Sequence, residues 1–195
     1  MKPIDVAGFE RKFRENVDPW DYTNSQFEDF KRKVLLQACG HNKHGRVLEL
    51  GCAIGETTRF LAPLAPLALR LKAIDGSPTA ISEARRRVRC AHVRFIQATL
   101  PGQMPPGPFD LIVVSEIAYY LSASDLTVLG KKLAIAAAPH GRIVLLHHRR
   151  HFHDAAQSPE LAHNRLRTLL CRFARTVFQK RYPRFDVVAL RKGRP

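Results

Sequence analysis

Two glycines and one carboxylate are spaced as in a binding site for a nucleotide-type cofactor. Gly51 and Gly55 follow an apolar run at 47–50, and a helical pattern begins at Glu56, which predicts a strand, a turn and a helix start. Asp75 stands twenty residues after Gly55, at the end of a second apolar run, where a carboxylate can accept a hydrogen bond from a ribose hydroxyl. The glycines alone would equally suit a tight turn that binds nothing, so the prediction of a cofactor site depends on the whole pattern.

Polar side chains that could move a proton follow two later apolar runs. Glu116 comes shortly after the run at 109–114, and His147 and His148 follow the run at 142–146. A carboxylate or an imidazole beside an amine could orient it or remove its proton. Glu116 is the first candidate for this role and His147 the second, with bulk water as the alternative. Glu116 could instead cap or orient the helix that follows it.

Side chains of the metal-binding types cluster after the run at 142–146, namely His147, His148, His151, His153 and Asp154. Their spacing matches no recognised ligand motif such as H-E-x-x-H, so we predict no metal site. The sequence also lacks a G-x-S-x-G elbow and a Walker phosphate loop. These absences argue against the hydrolases and nucleoside triphosphatases that carry those motifs.

Apolar patterning and turn residues predict a chain that alternates between helices and strands. A helix is expected from Ser25, with Ser25 as its N-cap and Glu28 as the capping-box partner. Residues before about Asp18 are polar and mixed in charge and are expected to form a short lead-in. Further helices are expected from Glu56 to near Pro63, from Ser77, around 126–136 and at 159–171. The predicted strands span 47–50, 69–74, 92–98, 109–114, 142–146, 175–180 and 185–190.

Length and composition are those of a globular protein. The chain has 195 residues, 45% of them hydrophobic, which suits one domain with an ordinary core. No uninterrupted apolar stretch approaches the length of a membrane span, and the N-terminus has no apolar signal segment, so we expect a cytoplasmic location. The four cysteines are scattered without a C-x-x-C pair, which indicates reduced thiols.

The formal net charge is +15, from 32 basic and 17 acidic residues. A field of this sign attracts polyanions, so nucleic acid, an anionic glycolipid or a membrane surface would each be a physically reasonable partner. Arginines spread over helix and strand faces could equally be a solvated surface with no binding role. The charge alone does not choose between these interpretations, and the sequence leaves the oligomeric state open.

Three motifs resemble the class I S-adenosylmethionine-dependent methyltransferases in order and spacing, from about Asp18 to the C-terminus. They are E-x-G-x-x-x-G at 49–55 followed by Asp75, FDLIVVSE at 109–116 and APHGRIVL at 138–145. The segment EIAYYL at 116–121 and the tripeptide Asp18-Pro19-Trp20 are similar to the nodulation protein S family. That family comprises rhizobial N-methyltransferases that act on a chitooligosaccharide amine.

The resemblance implies an α/β fold with a doubly wound, seven-stranded Rossmann-like methyltransferase sheet and an inserted antiparallel C-terminal strand. It implies one class I methyltransferase domain over 1–195, with an N-terminal lid segment at 1–40 and the Rossmann-like core at 45–195. In the family's strand order, the Pro- and Gly-rich link at 99–108 must return from the third strand to the fourth without a helix. The distance is about 22 Å, and ten extended residues reach about 33 Å, so this topology is feasible.

The resemblance also implies S-adenosylmethionine as cofactor and a set of residues around it. The expected cofactor-binding residues are Glu49, Gly51, Cys52, Ala53, Gly55, Asp75, Gly76, Ser77, Ala98, Thr99 and Ser115. The expected acceptor-binding residues are Trp20, Tyr22, Tyr119 and Tyr120, although Trp20 and Tyr22 could simply pack beside the helix from Ser25. Two departures predict weaker or differently shaped cofactor binding. Ala53 replaces the middle glycine of the family's turn, and Thr99 stands where the family often has an aspartate.

The function expected from these observations is methyl transfer to the nitrogen of an amino sugar or another small polar acceptor. An RNA or DNA methyltransferase would suit the charge, but Ser115-Glu116-Ile117-Ala118 lacks both prolines of the [N/D/S]-P-P-[Y/F] tetrad of base-amino methyltransferases. A non-catalytic protein that binds S-adenosylmethionine would suit the departures at Ala53 and Thr99. An NAD-binding domain would require a second glycine at position 53 and room for a substrate domain.

Overall fold

Helices and strands alternate along the computed structural model, which describes residues 3–40, 44–65 and 71–193. Short 3₁₀ helices span Ala62–Leu64 and Ala118–Tyr120. None of the described helices is both long and apolar enough to cross a membrane. The α-helices in these ranges are α1 (Val6–Glu15), α2 (Gln26–Cys39), α3 (Thr58–Leu61), α4 (Pro78–Arg87), α5 (Ala123–Ala136) and α6 (Pro159–Leu170).

Within the described ranges, the strands are β1 (Val47–Leu50), β2 (Leu71–Asp75), β3 (Val93–Gln97), β4 (Phe109–Ser115), β5 (Ala137–His148), β6 (Ala174–Arg181) and β7 (Phe185–Lys192). They form one sheet in the order β3-β2-β1-β4-β5-β7-β6. The first five strands are parallel, and β7 is antiparallel to both of its neighbours. The predicted doubly wound, seven-stranded sheet with an inserted antiparallel strand is confirmed.

Helices cover both faces of the sheet, and side chains of the central strand β4 alternate between these two layers. Leu111 and Val113 pack in the cluster that includes α2 and α4. Ile112 and Val114 pack in the cluster that includes α5 and α6. All four side chains are fully buried, and burial of each stabilises the fold by about 1.5–3 kcal/mol. This two-sided burial explains why 109–114 is a continuous apolar run instead of an alternating one.

Serine hydroxyls fix the starts of two helices that border the carboxyl end of the sheet. The Ser25 hydroxyl accepts a hydrogen bond from the Glu28 amide at 3.3 Å, so the predicted N-cap of α2 is confirmed. The Glu28 carboxylate does not complete the predicted capping box, because it accepts from Lys31 while the Ser25 amide donates to the Asp21 carbonyl. The Ser77 hydroxyl accepts one from the Ala80 amide at 3.0 Å, and Pro78 occupies the first turn of α4. These caps set the point at which each helix leaves the sheet edge.

The predicted strands are confirmed, and most of their bounds agree to within one or two residues. The start predicted for the second strand, Leu69, lies outside the described residues. The fifth strand begins at Ala137 instead of Arg142, because Ala137 already pairs with Phe109 before a register shift in the ladder. The described link at 98–108 contains turns and extended chain, so the prediction of a return to β4 without a helix is confirmed.

The short lead-in before Asp18 contains a helix that the sequence patterns did not predict, since residues 6–15 form helix α1. The Asp5 carboxylate caps this helix by accepting a hydrogen bond from the Gly8 amide at 2.8 Å. Its inner face carries Phe13, which is buried against Trp20. The side chain of Glu10 accepts hydrogen bonds from the hydroxyls of Ser77 and Thr79, so α1 is anchored on the start of α4.

The turn after β1 requires a backbone conformation that favours glycine at three positions. Gly51, Ala53 and Gly55 have φ angles of 74°, 46° and 85°. A Cβ atom on Gly51 would collide with the side chain of Ile117, so glycine is required there for space as well as for conformation. Ala53 occupies the left-handed region with a Cβ atom, which costs about 1–2 kcal/mol relative to the right-handed conformation.

We therefore expect Ala53→Gly to raise the free energy of unfolding by up to about 1 kcal/mol, because relief of the left-handed strain exceeds the extra backbone entropy of glycine. Urea unfolding measures this change. In the matched variant Ala80→Gly, within helix α4, the same substitution should lower the free energy of unfolding by about 1 kcal/mol or more. A comparable loss in both variants would contradict the assigned strain at Ala53.

Candidate active site

A cavity of about 540 Å³ opens at the carboxyl ends of β1, β2 and β4, beneath helix α1. The strand order reverses between β1 and β4, which is the position where doubly wound sheets bind ligands. The predicted site residues that line the cavity are Trp20, Tyr22, Gly51, Ala53, Asp75, Gly76, Ala98, Thr99, Ser115, Glu116, Tyr119 and Tyr120. Five predicted site residues do not line it, namely Glu49, Cys52, Gly55, Ser77 and His147.

Asp75 ends β2 and faces the cavity with both carboxylate oxygens held by backbone amides. The Ala53 amide donates to one oxygen at 3.0 Å, and the Ser77 amide donates to the other at 2.9 Å. Burial raises the pKa of Asp75, and the amide hydrogens of Ser77, Ala53 and Gly76 oppose that rise. The amide of Ala53 makes its hydrogen bond whatever side chain stands at that position, so the alanine keeps this contact of the glycine turn.

A small extension of about 50 Å³ continues from the cavity toward the turn after β1. Glu49 and Cys52 line this extension, so two of the five predicted residues outside the main cavity lie beside it. Arg32 of α2 also lines it, with a side chain that is 7% exposed. The Arg32 Nε atom is buried and makes no hydrogen bond within the described part of the chain. A buried guanidinium with an unused donor is suited to an anionic group of a ligand.

Glu116 follows β4 with a left-handed backbone, φ 58°, and its carboxylate is held by three donors. The Lys31 ammonium donates to Oε1 at 2.6 Å, whereas the Tyr119 hydroxyl and the His148 amide donate to Oε2 at 2.9 and 3.0 Å. Burial acts to raise the pKa of Glu116, but the Lys31 ammonium, its hydrogen bond and the imidazoles of His148 and His147 together outweigh burial, and the pKa falls to about 2. Glu116 is therefore a fixed anion and a weak proton acceptor.

The adjacent histidines His147 and His148 point to opposite faces of β5, as successive residues of a strand must. His148 lines the cavity. His147 is buried behind it, where Nε2 accepts a hydrogen bond from the Ala118 amide at 3.3 Å and Nδ1 lies 3.1 Å from His163 Nδ1. Burial lowers the pKa of His147 to about 3. The position of His147 argues against the predicted role as the second candidate proton acceptor.

Aromatic side chains from three segments form the wall opposite the sheet. Trp20 lies 5.7 Å from Tyr22 between ring centroids, and Phe9 of α1 lies 4.7 Å from Tyr120. Tyr119 lies 4.5 Å from Tyr120. The four residues predicted to bind the acceptor therefore share one wall with a residue of α1.

Sequence reasoning missed two contributors to the cavity, helix α1 and Lys31, and it chose His147 as the second candidate base although His148 is the histidine that lines the cavity. Helix α1 had a usable signal, because Asp5 is a good N-cap and Val6, Phe9 and Phe13 recur at helical spacing. Lys31 had none, since a lysine between a phenylalanine and an arginine on an amphipathic helix resembles a solvated position. The Lys31 side chain is nevertheless only 5% exposed.

The charge of the cavity is opposite in sign to that of the whole chain. Five carboxylates line it, from Asp5, Glu28, Asp75, Glu116 and Asp125. The basic side chains that line it are those of Lys31 and His148, and Lys31 already bonds Glu28 and Glu116. A cavity with surplus negative charge in a chain of net charge +15 favours cationic ligands over anionic ones.

Comparison with known proteins agrees with this architecture. The family model described as Nodulation protein S (NodS) matches residues 5–144, which is most of the chain. The chain belongs to the nodulation protein S family.

Curated members of the nodulation protein S family are similar over part of their length. The protein from Rhizobium tropici is 34% identical over 130 residues, which are 65% of this chain and 53% of that protein. The protein from Sinorhizobium fredii is 33% identical over 130 residues, which are 65% of this chain and 59% of that protein. In these alignments the chain spans a little over half the length of the curated relatives it matches.

Solved structures include a member of the nodulation protein S family. N-methyltransferase NodS from Bradyrhizobium japonicum WM9, in complex with S-adenosyl-L-homocysteine, has a TM-score of 0.82 at 25% identity and covers 97% of this chain and 99% of that chain. A putative methyltransferase from Pseudomonas syringae has a TM-score of 0.72 at 30% identity and covers 86% of this chain and 100% of that chain.

Glu49 of this nodulation protein S family member is a buried carboxyl that can be tested through stability. It accepts a hydrogen bond from the Thr58 hydroxyl at 2.6 Å, and burial raises its pKa from 4.5 to about 8. The folded protein therefore retains a proton that the unfolded chain releases. The stabilisation is complete below about pH 4.5 and is lost as the pH rises to about 8.

We expect the free energy of unfolding of wild type, relative to Glu49→Gln, to fall by a few kcal/mol, on the order of 3, between about pH 5 and pH 8. The glutamine keeps an acceptor for the Thr58 hydroxyl but does not titrate. Urea unfolding of both proteins across this range isolates Glu49 from the other titrating groups. A difference between the two proteins that stays constant with pH would contradict the raised pKa.

Proposed function

We propose that this protein is an S-adenosylmethionine-dependent N-methyltransferase whose acceptor is an amine of a chitooligosaccharide or another small polar molecule. The observation that carries the proposal is the acidic cavity at the carboxyl ends of β1, β2 and β4, with Asp75 at its edge. The cofactor and the protonated acceptor are both cations at the reacting atoms, so an anionic lining suits both. The name N-methyltransferase borne by the solved family member supports the same reaction.

The residues around the cavity fit the parts of S-adenosylmethionine. The Asp75 carboxylate would accept hydrogen bonds from the ribose hydroxyls, and Ala98, Thr99 and Leu100 would border the adenine. Arg32, with its unused Nε donor, would hold the methionine carboxylate in the small extension. When bound, the cofactor supplies a methyl group activated by a positively charged sulfur. Thr99 lacks a carboxylate for the adenine amino group, so backbone groups and the Thr99 hydroxyl would take that contact.

Glu116 would hold the acceptor nitrogen rather than deprotonate it. Oε2 already accepts two hydrogen bonds and Oε1 accepts one, which leaves acceptor capacity on Oε1. The pKa of about 2 makes transfer of a proton from an amine to this carboxylate strongly unfavourable. A fixed anion close to the acceptor would instead position the nitrogen and stabilise the positive charge that the nitrogen gains during methyl transfer.

The charge distribution argues against a nucleic acid as the acceptor, despite the net charge of +15. A nucleic acid that enters the cavity would bring phosphates toward five carboxylates. The Lys31 ammonium could not offset the repulsion between phosphates and carboxylates, because it is already 2.9 Å from Glu28 and 2.6 Å from Glu116.

The alternative of a protein that binds the cofactor without catalysis is tested by turnover, because such a protein would transfer no methyl group.

We expect Asp75→Asn to weaken the binding of S-adenosylmethionine by about tenfold or more, which is about 1.4 kcal/mol. The asparagine keeps the shape but loses the charge and one acceptor, which disturbs the contacts with Ala53 and Ser77 as well as the ribose. Isothermal titration calorimetry measures the affinity of both proteins. Glu83→Gln on α4, remote from the cavity, is the control, and NAD is the control ligand. Wild type that binds NAD in preference to S-adenosylmethionine would overturn the proposed cofactor.

We expect Glu116→Gln to lower the rate of methyl transfer to a chitooligosaccharide with a free amine by at least about tenfold. Binding of S-adenosylmethionine should change by less than about threefold, because the ribose and methionine contacts lie elsewhere. Transfer of a radioactive methyl group measures the rate, and calorimetry measures the affinity. The Glu83→Gln control should match wild type in both. An unchanged rate in Glu116→Gln would remove the acceptor-binding role from this carboxylate.

A further inference from the structure

We infer that His148 is the group that takes the proton from the acceptor ammonium before methyl transfer. The inference rests on the proposed function, in which His148 has no assigned role. It stands on the place of the imidazole in the cavity and on the two hydrogen-bond partners that fix the arrangement of its protons.

The tautomer of His148 follows from its neighbours. Nδ1 lies 3.1 Å from the carbonyl oxygen of Arg184, which can only accept, so Nδ1 carries the hydrogen. Nε2 lies 3.3 Å from the Lys31 ammonium, which can only donate, so Nε2 presents its lone pair. The imidazole is therefore neutral, with its basic nitrogen toward the charged cluster in the cavity.

The rings of Phe27 and Phe152 keep the imidazole in this orientation. Their centroids lie 5.5 and 5.3 Å from the centroid of His148. The His148 side chain is 12% exposed, which leaves a route for its proton to reach solvent. An imidazole held between two rings and bonded at both nitrogens meets the requirement that a catalytic base be positioned in advance.

The charged groups that face His148 keep it neutral and yet ready to accept a proton. Burial and the ammonium of Lys31 lower the pKa of His148, whereas the carboxylates of Glu116 and Glu28 oppose that fall. The backbone carbonyl of Arg184 also acts to raise the pKa. The net direction is downward, so the basic form predominates at neutral pH.

The proposed step conserves charge and atoms. An N–H bond of the acceptor ammonium breaks, its proton bonds to Nε2, and the electron pair stays on the nitrogen, which becomes neutral. In the methyl transfer that would follow, this pair would form the new nitrogen–carbon bond while the carbon–sulfur bond of the cofactor breaks and leaves its electron pair on sulfur. The imidazolium that forms lies 3.8 Å from Glu116 Oε1, and the carboxylate stabilises it. Lys31 gives up its 3.3 Å contact with Nε2 but keeps its two carboxylate partners.

Other titratable groups near the cavity are less suited to this step. Glu116 has a pKa of about 2, so it stays ionised without taking the proton. His147 points away from the cavity and uses Nε2 to accept from the Ala118 amide. Lys31 is a cation with no lone pair while it remains between Glu28 and Glu116.

The test compares His148→Asn with wild type in methyl transfer to a glucosamine tetramer, at about pH 7 and at about pH 9.5. Asparagine can still donate to the Arg184 carbonyl but has no basic nitrogen. We expect the rate at pH 7 to fall by at least about tenfold. At the higher pH the amine is already neutral, so the two rates should agree within about threefold. His153→Asn, at an exposed position, is the matched control and should follow wild type at both pH values.

A second variant guards against a purely structural effect of the substitution. His148→Ala should be inactive at pH 7, and added imidazole should restore at least part of its rate, because imidazole can occupy the space of the lost ring. Calorimetry with S-adenosylmethionine should give wild-type affinity for both His148 variants. A rate defect that persists at pH 9.5 and does not respond to imidazole would overturn the assignment.

The result for wild type separates this inference from the proposed function. Wild type that transfers methyl groups to the tetramer, together with His148→Asn that keeps the full rate at pH 7, would overturn the role of His148 and leave the proposed function standing. Wild type that binds S-adenosylmethionine but methylates no amine would overturn the proposed function and the role of His148 together.

Discussion

The part of the cavity around Glu116 and His148 depends on the contacts of one buried ammonium group, that of Lys31. It joins three elements, since Lys31 lies in α2, Glu116 follows β4 and His148 ends β5. Loss of either partner in a buried pair leaves the other charge unpaired in a low-dielectric site, which costs about 3–5 kcal/mol. The cluster therefore fixes the relative positions of α2 and the sheet as well as the protonation of the groups it contains.

The sheet order determines which groups can meet in that cluster. β1 lies between β2 and β4, so the ends of these three strands are adjacent although they are far apart in the chain. Asp75 is the last residue of β2 and Glu116 follows the last residue of β4, so the two lie on either side of the glycine turn. Asp75 gains its partners from local amides, whereas Glu116 gains them from α2 and β5. The same edge of the sheet thus holds Asp75, whose partners are neutral amides and whose pKa is raised, and Glu116, which is paired with a cation and whose pKa is lowered.

The features that the sequence predicts correctly depend on local patterns. The strand ends, the glycine turn and the serine caps are each set by residues within one turn or one strand. Helix α1 was missed because its mixed charges hide an apolar face that is buried against Trp20. The choice between His147 and His148 could not be made, since it depends on the register of β5 with β4 and β7, and a shift of one residue exchanges the two faces. The position of Lys31 is the hardest to predict, because the buried ammonium is paired with two carboxylates and one of them is 85 residues away in the chain.

The cavity carries a surplus of negative charge and the whole chain a surplus of positive charge, so the two charges act on a ligand at different places. Charges on the surface are screened beyond about 8 Å at physiological ionic strength, so the net charge of +15 acts mainly on what approaches the protein from solution. Groups inside the cavity are poorly screened, and there the surplus carboxylates decide what is stable. A ligand with anionic groups at one end and a positive group at the other would be attracted by the basic surface and by the acidic cavity, with its positive end inside the cavity. A ligand that is anionic throughout would be attracted to the surface and opposed at the cavity. The electrostatics therefore favour a ligand by the position of its positive group more than by its net charge.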